Sequence, residues 1–383
     1  MKRLSLILIA VLTSALVAAC ASTGSEAQTT SSAPAMADQP TEPGSAPAPS
    51  STPTKGSGSP VDIVFATFNV CKTDCAPPAP PWDVRRDRVA RVIGGSGADV
   101  IGLQEATNQP TATAKTQVED IQVNLAGPQG YAAPTYPIES NDCRRPRDAA
   151  GQLTGPSPCE NTSALLYRAA SIKQVALPSG IPSAGITQYG MIVPGSDPTS
   201  SARSVAWAYL QPINGGQPFL AISLHTDNGK NPVAEQSRLA LAGALGPWVE
   251  AMNARAGLPG TPAILMADLN SYKKRQPKGV QKVLVDNGWI DAYKAEDVSN
   301  IEYSTINYNP ALPDGKGFPA KPYKFRIAKK REATRIDYIM GYGSNITPLT
   351  YEVMLYLNPD GSFNPDYQAS DHQMVRATFQ LGG

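Results

Sequence analysis

Six short apolar runs in this chain each begin or stop at a carboxylate, a carboxamide or an imidazole, and no other feature constrains the fold as much. VDIVFATFN ends at Asn69, DVIGLQE at Glu105, FLAISLH at His225, and AILMADLN carries Asp268 and Asn270. Towards the C-terminus, RIDYIM opens with Asp337 and SDHQMV sets Asp371 beside His372. The runs are rich in β-branched and aromatic residues, and they read as buried strands. WDVRRDRVARVIG is expected to be an amphipathic helix N-capped by Asp83, and a second helix is expected near Val118–Leu125. VAEQSRLALAGALGPWVEAMNA carries a helical stripe of Leu239, Leu241, Ala242, Leu245 and Val249, and GVQKVLVDNGW reads as a short helix. SVAWAYLQPI and PFLAISLHT flank Asn214-Gly215-Gly216, a hairpin signal. HQMVRATFQL reads as the last strand, with Asp371 and His372 expected on opposite faces of its start. With no internal repeat, the pattern fits an α/β fold of two packed, mostly antiparallel β-sheets flanked by helices.

The N-terminal end has a different character. Met1-Lys2-Arg3 precedes an apolar run from Leu4 to Val17, shorter than the ~20 residues a membrane span needs. Val17-Ala18-Ala19-Cys20 resembles a bacterial lipobox, which implies a signal peptide over 1–20, a lipidated Cys20 as the membrane anchor, and an exported protein at the cell surface or on the periplasmic side. Residues 21–60 are almost entirely Ser, Thr, Pro, Ala and Gly, and are expected to form a tether that buries no core. One catalytic domain, expected to be monomeric, would then occupy 61–383. In an exported chain the four remaining cysteines favour disulfides, and of the three pairings the local ones, Cys71–Cys75 and Cys143–Cys159, are expected.

Any one of the polar strand-end residues has an ordinary explanation. Glu105 could be a cap, Asp337 could pair with Arg335, and His225 could be a satisfied core histidine. Eight such residues at six strand ends are harder to explain structurally, because burying a carboxylate without a partner costs several kcal/mol. Carboxylates with amide oxygens form a hard donor set that suits Mg²⁺, Mn²⁺ or Ca²⁺. Asp337 with His372 makes a general base and its orienting partner, and a second histidine can bind or protonate a phosphate oxygen. Together these groups suit in-line attack of water on phosphorus.

FATFNV, DVIGLQEA, SLHTDN, ILMADLNS, RIDYIM and SDHQMV, in this order, resemble the signature segments of the endonuclease/exonuclease/phosphatase superfamily, the deoxyribonuclease-I-like fold. The resemblance runs from about Val61 to the end of the chain. It implies a four-layered α/β sandwich and metal-dependent phosphoester hydrolysis. It also implies metal-site roles for Asn69, Asp371 and chiefly Glu105. Asp268 and Asn270 would position the attacking water, and His372 would be a catalytic histidine oriented by Asp337. His225 would contact phosphate or aid the leaving group. Whether His372 or Asp268 is the base stays open, as does the choice of Glu160 or Asn161 as support for His225. Ala267 stands where the family often has glycine.

Net charge is +1, so no global field selects a partner. Three basic clusters, Arg144-Arg145-Pro146-Arg147, Lys273 to Lys278 and Lys324 to Arg331, favour a polyanionic substrate, and the last two adjoin ADLNS and RIDY. The expected function is therefore nucleic-acid hydrolysis. A lipid phosphoesterase is the alternative, with IPSAGITQYGMIVPG as a candidate apolar flap, and a catalytically inactive surface-binding lipoprotein is the third reading.

Overall fold

The computed structural model describes residues 59–75, 80–136, 163–194, 203–272, 279–306, 335–359 and 364–382. The expected signal peptide, Cys20, most of the tether, Cys143, Cys159, Glu160, Asn161 and the three basic clusters lie outside them.

In chain order the described strands are β1 (Val61–Asn69), β2 (Val100–Gln104), β3 (Tyr131–Ala132), β4 (Ala164–Arg168), β5 (Ile172–Gln174), β6 (Ala184–Gln188) and β7 (Ser204–Pro212). They continue with β8 (Phe219–His225), β9 (Ala263–Asp268), β10 (Ile290–Asp291), β11 (Asp297–Ser299), β12 (Asp337–Tyr342), β13 (Ile346–Val353) and β14 (Val375–Leu381). The α-helices are α1 (Trp82–Gly95), α2 (Gln117–Glu119), α3 (Tyr189–Ile192), α4 (Pro232–Arg255) and α5 (Val280–Asp286). One seven-stranded sheet runs β11-β13-β14-β1-β2-β4-β3, and the other runs β10-β12-β9-β8-β7-β5 with β6 also on β7. Most pairings are antiparallel. Of the three parallel pairs among the described strands, β1–β2 and β8–β9 are each joined by a crossover helix, α1 and α4, and β11–β13 is the third.

Four layers follow from strand alternation. Ile63, Phe65, Val100, Phe219, Ala221, Ile264, Met266, Ile339, Ala377 and Phe379 share one core between the sheets. Their sequence neighbours face outward. Leu220, Ile222 and Leu265 pack with Leu241, Leu245 and Val249 of α4, while Phe68, Ile101 and Leu103 pack with Val89 and Ile93 of α1. Leu239 of the expected α4 stripe sits at the edge of that contact, partly buried.

Several local expectations need adjusting. α1 starts at Trp82 with Pro81 at its N-cap and no side-chain cap, so Asp83 lies in the first turn and acts there on the helix dipole. The expected 118–125 helix is the short α2 followed by a π-helical turn, Asp120–Ala126. Part of the proposed apolar flap is β6, hydrogen-bonded to β7. The β7–β8 hairpin forms as expected, with Gly215 and Gly216 at φ +102° and +113° in the turn. Among the described residues, no helix is long and apolar enough to cross a membrane.

Candidate active site

The inward face of both sheets changes from apolar to polar at one end. Along β1 the inward positions read Ile63, Phe65, Thr67 and Asn69, and along β2 they read Val100, Gly102 and Gln104. In the facing sheet, Phe219, Ala221 and Ser223 lead to His225, Ile264 and Met266 lead to Asp268, and Ile339 is preceded inward by Asp337. A period of two carries all of these side chains to the same side as the core. Register then aligns them. Asp268 is paired across the ladder with His225 on β8 and with Asp337 on β12, so the three form a row over neighbouring strands.

Two devices bring the sheets together beneath this row. Gly102 has no side chain where an added Cβ would lie 2.5 Å from Met266 Cβ. Next to it, buried Gln104 bridges the sheets: its Nε2 donates to Ser223 Oγ (3.1 Å) and Met266 O (3.2 Å), and its Oε1 accepts from Thr67 Oγ1 (3.1 Å). Ser223 Oγ donates in turn to Leu103 O at 2.8 Å.

Asn69, from the first sheet, donates through Nδ2 to Asp268 Oδ2 (3.0 Å) and Glu105 Oε1 (3.2 Å). Glu105 follows β2 directly, and alternation would send it outward after Leu103. Its left-handed backbone, φ +57°, instead turns it to the site, where its side chain keeps 21% exposure. Asn270 is also left-handed (φ +43°). Its N–H donates to Asp268 Oδ1 (2.9 Å) and its Nδ2 to His225 Nε2 (2.8 Å). Such backbones cost of order 1–3 kcal/mol each and persist where surrounding contacts hold them.

The histidines differ in environment. His372 Nδ1 lies 3.0 and 3.1 Å from the two Asp337 oxygens, and its Nε2 lies 3.9 Å from Asp268 Oδ2. Burial opposes protonation of His372, but Asp337, with Asp371 and Asp268 adding, holds its pKa well above the usual imidazole value. His225 Nε2 lies 3.4 Å from Asp268 Oδ2 and 3.9 Å from Glu105 Oε1. Those approaches suggest ion pairs, yet burial first and then Arg203 and His372 push the His225 pKa well below the usual value. The neutral ring, accepting from Asn270, therefore describes it better. Burial first and then Asp337 push the Asp268 carboxyl up to about 7.

Asp371 and His372 precede β14 rather than opening it. His372 forms an isolated bridge to Ile306, with its N–H on Ser370 Oγ (3.2 Å). Ser370 Oγ donates to Asn69 O (2.6 Å), tying this segment to β1. Asp371 is half-buried, within 4.8 Å of the sulfurs of Cys71 and Cys75, which are joined as a disulfide. Arg335 does not pair with Asp337; it forks onto Asp291 at 2.8 Å on both oxygens.

The carboxylates of Asp268 and Asp337 lie close together, with Glu105 and Asn69 adjoining through the contacts above, while His372 beside them, held protonated, offers a proton rather than a lone pair. This donor set, dominated by oxygen and containing no thiolate, fits a hard divalent cation. The raised Asp268 pKa is a condition that a cation would relieve.

Three contributors escaped the sequence reading. Buried Arg203 precedes β7, and its Nε and Nη1 find no hydrogen-bond partner in the described structure. Burial lowers its pKa, opposed by Glu105, Asp268 and Asp227. Applied to SVAWAYLQPI, the rule that singled out Asp337 at the start of RIDYIM would have found it, because β7 starts at the edge where β8 stops. Buried Thr305 accepts through Oγ1 from the N–H groups of Ile336 (3.1 Å) and Asp337 (3.3 Å), and its carbonyl accepts from Gln373 N–H (2.8 Å). Nothing in IEYSTIN marked it. Arg85, fully buried on α1, donates to Val70 O, Cys71 O, Lys72 O and Ala369 O; nothing in WDVRRDRVARVIG sets it apart from the helix's other arginines.

A family model described as the Endonuclease/Exonuclease/phosphatase family matches residues 66–372. Among curated proteins none matches. An endonuclease/exonuclease/phosphatase family protein from Bacteroides thetaiotaomicron shares 18% identity at a TM-score of 0.55, over 85% of this chain and 97% of its own. A mannosyl-6-phosphatase from the same species shares 18% identity at 0.52, over 83% and 99%. ANGEL2, described as a 2′,3′-cyclic phosphatase in complex with adenosine-2′,3′-vanadate, shares 14% identity at 0.52, over 85% and 97%. These likenesses establish a common fold.

Proposed function

The chain belongs to the endonuclease/exonuclease/phosphatase family, and from that premise we propose that it is a divalent-metal-dependent hydrolase of phosphodiester bonds in nucleic acid. The convergence of Asp268 with His225, Asp337–His372, Asn69, Glu105 and Asn270 at one end of the inter-sheet core carries this reading.

Glu105, with Asn69 and Asp371, would hold a divalent cation, Mg²⁺ or else Mn²⁺ or Ca²⁺, which when bound supplies charge neutralisation at a phosphate oxygen. Asp268 is the better proton acceptor of the two candidates, because Asn69 and Asn270 fix both of its oxygens while Asp337 keeps His372 protonated. It takes the proton of the attacking water while Asn270 orients that water. His372, kept protonated by Asp337, presents its Nε2 proton to the oxygen on which charge develops. Neutral His225 and the guanidinium of Arg203 line the same place and favour an anion there.

The basic clusters next to ADLNS and RIDY support a nucleic-acid substrate over a lipid. The lipid alternative has lost part of its flap to β6, although Met191 just beyond it is 70% exposed. Two of the fold neighbours are described as a mannosyl-6-phosphatase and a 2′,3′-cyclic phosphatase, so a sugar phosphate and a cyclic nucleotide belong in the substrate test. Plasmid DNA, RNA, sphingomyelin, a sugar phosphate and a 2′,3′-cyclic nucleotide should each be offered with Mg²⁺, Mn²⁺, Ca²⁺ or EDTA. Metal-dependent scission of nucleic acid is expected, and turnover of only the other substrates would overturn that preference.

The lipobox-like segment supports export and anchoring through Cys20. A Cys20→Ser chain expressed in bacteria should leave the detergent phase, and retention there would refute the lipid anchor.

A further inference from the structure

We propose that the Cys71–Cys75 disulfide is a positioning element for the cation site, holding the 70–75 turn against Asn69, Glu105 and Asp371. The inference rests on the cation reading of those three residues.

The ring touches each of them by a different route. Cys71 N–H donates to Asn69 Oδ1 at 3.0 Å, which orients the carboxamide so that its Nδ2 meets Glu105 and Asp268. Lys72 N–H points at Glu105 Oε2, at 3.4 Å. The Asp371 carboxylate lies within 4.8 Å of both sulfurs. Cys71 itself is left-handed, φ +52°, and this places two successive N–H groups on two different site residues. An L-residue with a bulky Cβ disfavours that backbone, so something must hold it. The cross-link to Cys75 does so from one side. Arg85, donating to the carbonyls of Cys71 and Lys72, and Gln117, donating to Cys71 O at 2.9 Å, do so from the other.

A purely structural role explains these facts less well. Closing so short a ring restrains the unfolded chain less than a long loop would, so global stability is a weak reason to place a disulfide here. Groups that orient metal ligands from behind commonly change metal affinity by about 10- to 100-fold when removed.

The test compares the wild-type full chain with Cys71→Ser/Cys75→Ser and Cys71→Gly/Cys75→Ser. The second variant opens the ring while relieving the left-handed backbone. Mn²⁺ binding is followed by electron paramagnetic resonance, and hydrolysis is followed against Mg²⁺ concentration. Both variants should need about ten times more cation for half-saturation, with the rate at saturating Mg²⁺ within a few-fold of wild type. Unchanged Mn²⁺ affinity in a folded variant would overturn the inference. A fall in saturating rate and melting temperature with affinity unchanged would assign the ring to structure alone, and overturn it equally. Absence of Mn²⁺ binding in the wild type would instead defeat the cation reading itself. Should the Ser/Ser variant fail to fold, the glycine variant carries the same readout.

Discussion

Asp268 shows how one residue gathers function from register. It sits between His225 and Asp337 on the ladder, its two oxygens are engaged by Asn69 and Asn270, and its carboxyl is displaced upward to about 7. A folded-state pKa above the unfolded one means that its contribution to stability is complete below the unfolded pKa and is lost as pH rises through about 7. A bound cation offsets that loss by favouring the carboxylate. Calorimetry should therefore show Mg²⁺ raising Tm more at about pH 8 than at about pH 5.5, where a protonated Asp268 has less to offer it. Equal shifts at both pH values would remove Asp268 from the cation's surroundings. At this scale the sequence disclosed which side chains would be candidates to meet, since polar groups at the ends of apolar runs are conspicuous. It could not disclose Thr305 or Arg85, whose contributions come from contacts distant in sequence.

At the scale of elements, alternation was legible and register was not. FLAISLH and AILMAD show which side chains share a face. Only the paired structure shows that β8 and β9 end, and β12 begins, level with one another. The Gly102–Gln104 segment maintains that alignment between the sheets. Gly102→Ala would place a methyl group 2.5 Å from Met266 Cβ and 3.3 Å from Ser223 Cβ, and overpacking of this kind costs about 1–3 kcal/mol. Gln104→Leu would leave Thr67 and Ser223 short of partners in a buried setting, at about 1–3 kcal/mol. Urea denaturation should show both losses, with activity falling further than the folded fraction because Glu105 follows directly. Wild-type stability in both variants would mean that the sheets are aligned by other contacts. The misplaced Asp83 cap belongs at this scale too: an acidic residue near a helix start can cap it or can lie in its first turn, and the sequence pattern is the same for both.

For the molecule as a whole, two parallel strand pairs with crossover helices on the outer faces turn two sheets into one site-bearing end. Layering was readable from the mixture of strands and amphipathic helices. The pairing order, including the small strands β5, β10 and β11, was not, because segments of two or three residues carry too little pattern. The most direct measurement is metal-dependent hydrolysis of plasmid DNA and bis(p-nitrophenyl) phosphate by the wild type and by Asp268→Asn. Far-ultraviolet circular dichroism would confirm that both are folded. A hydrolase with Asp268 as proton acceptor should lose about 10²- to 10⁴-fold in rate on that change, and all activity in EDTA. A folded Asp268→Asn protein that cleaves either substrate at the wild-type rate would contradict it.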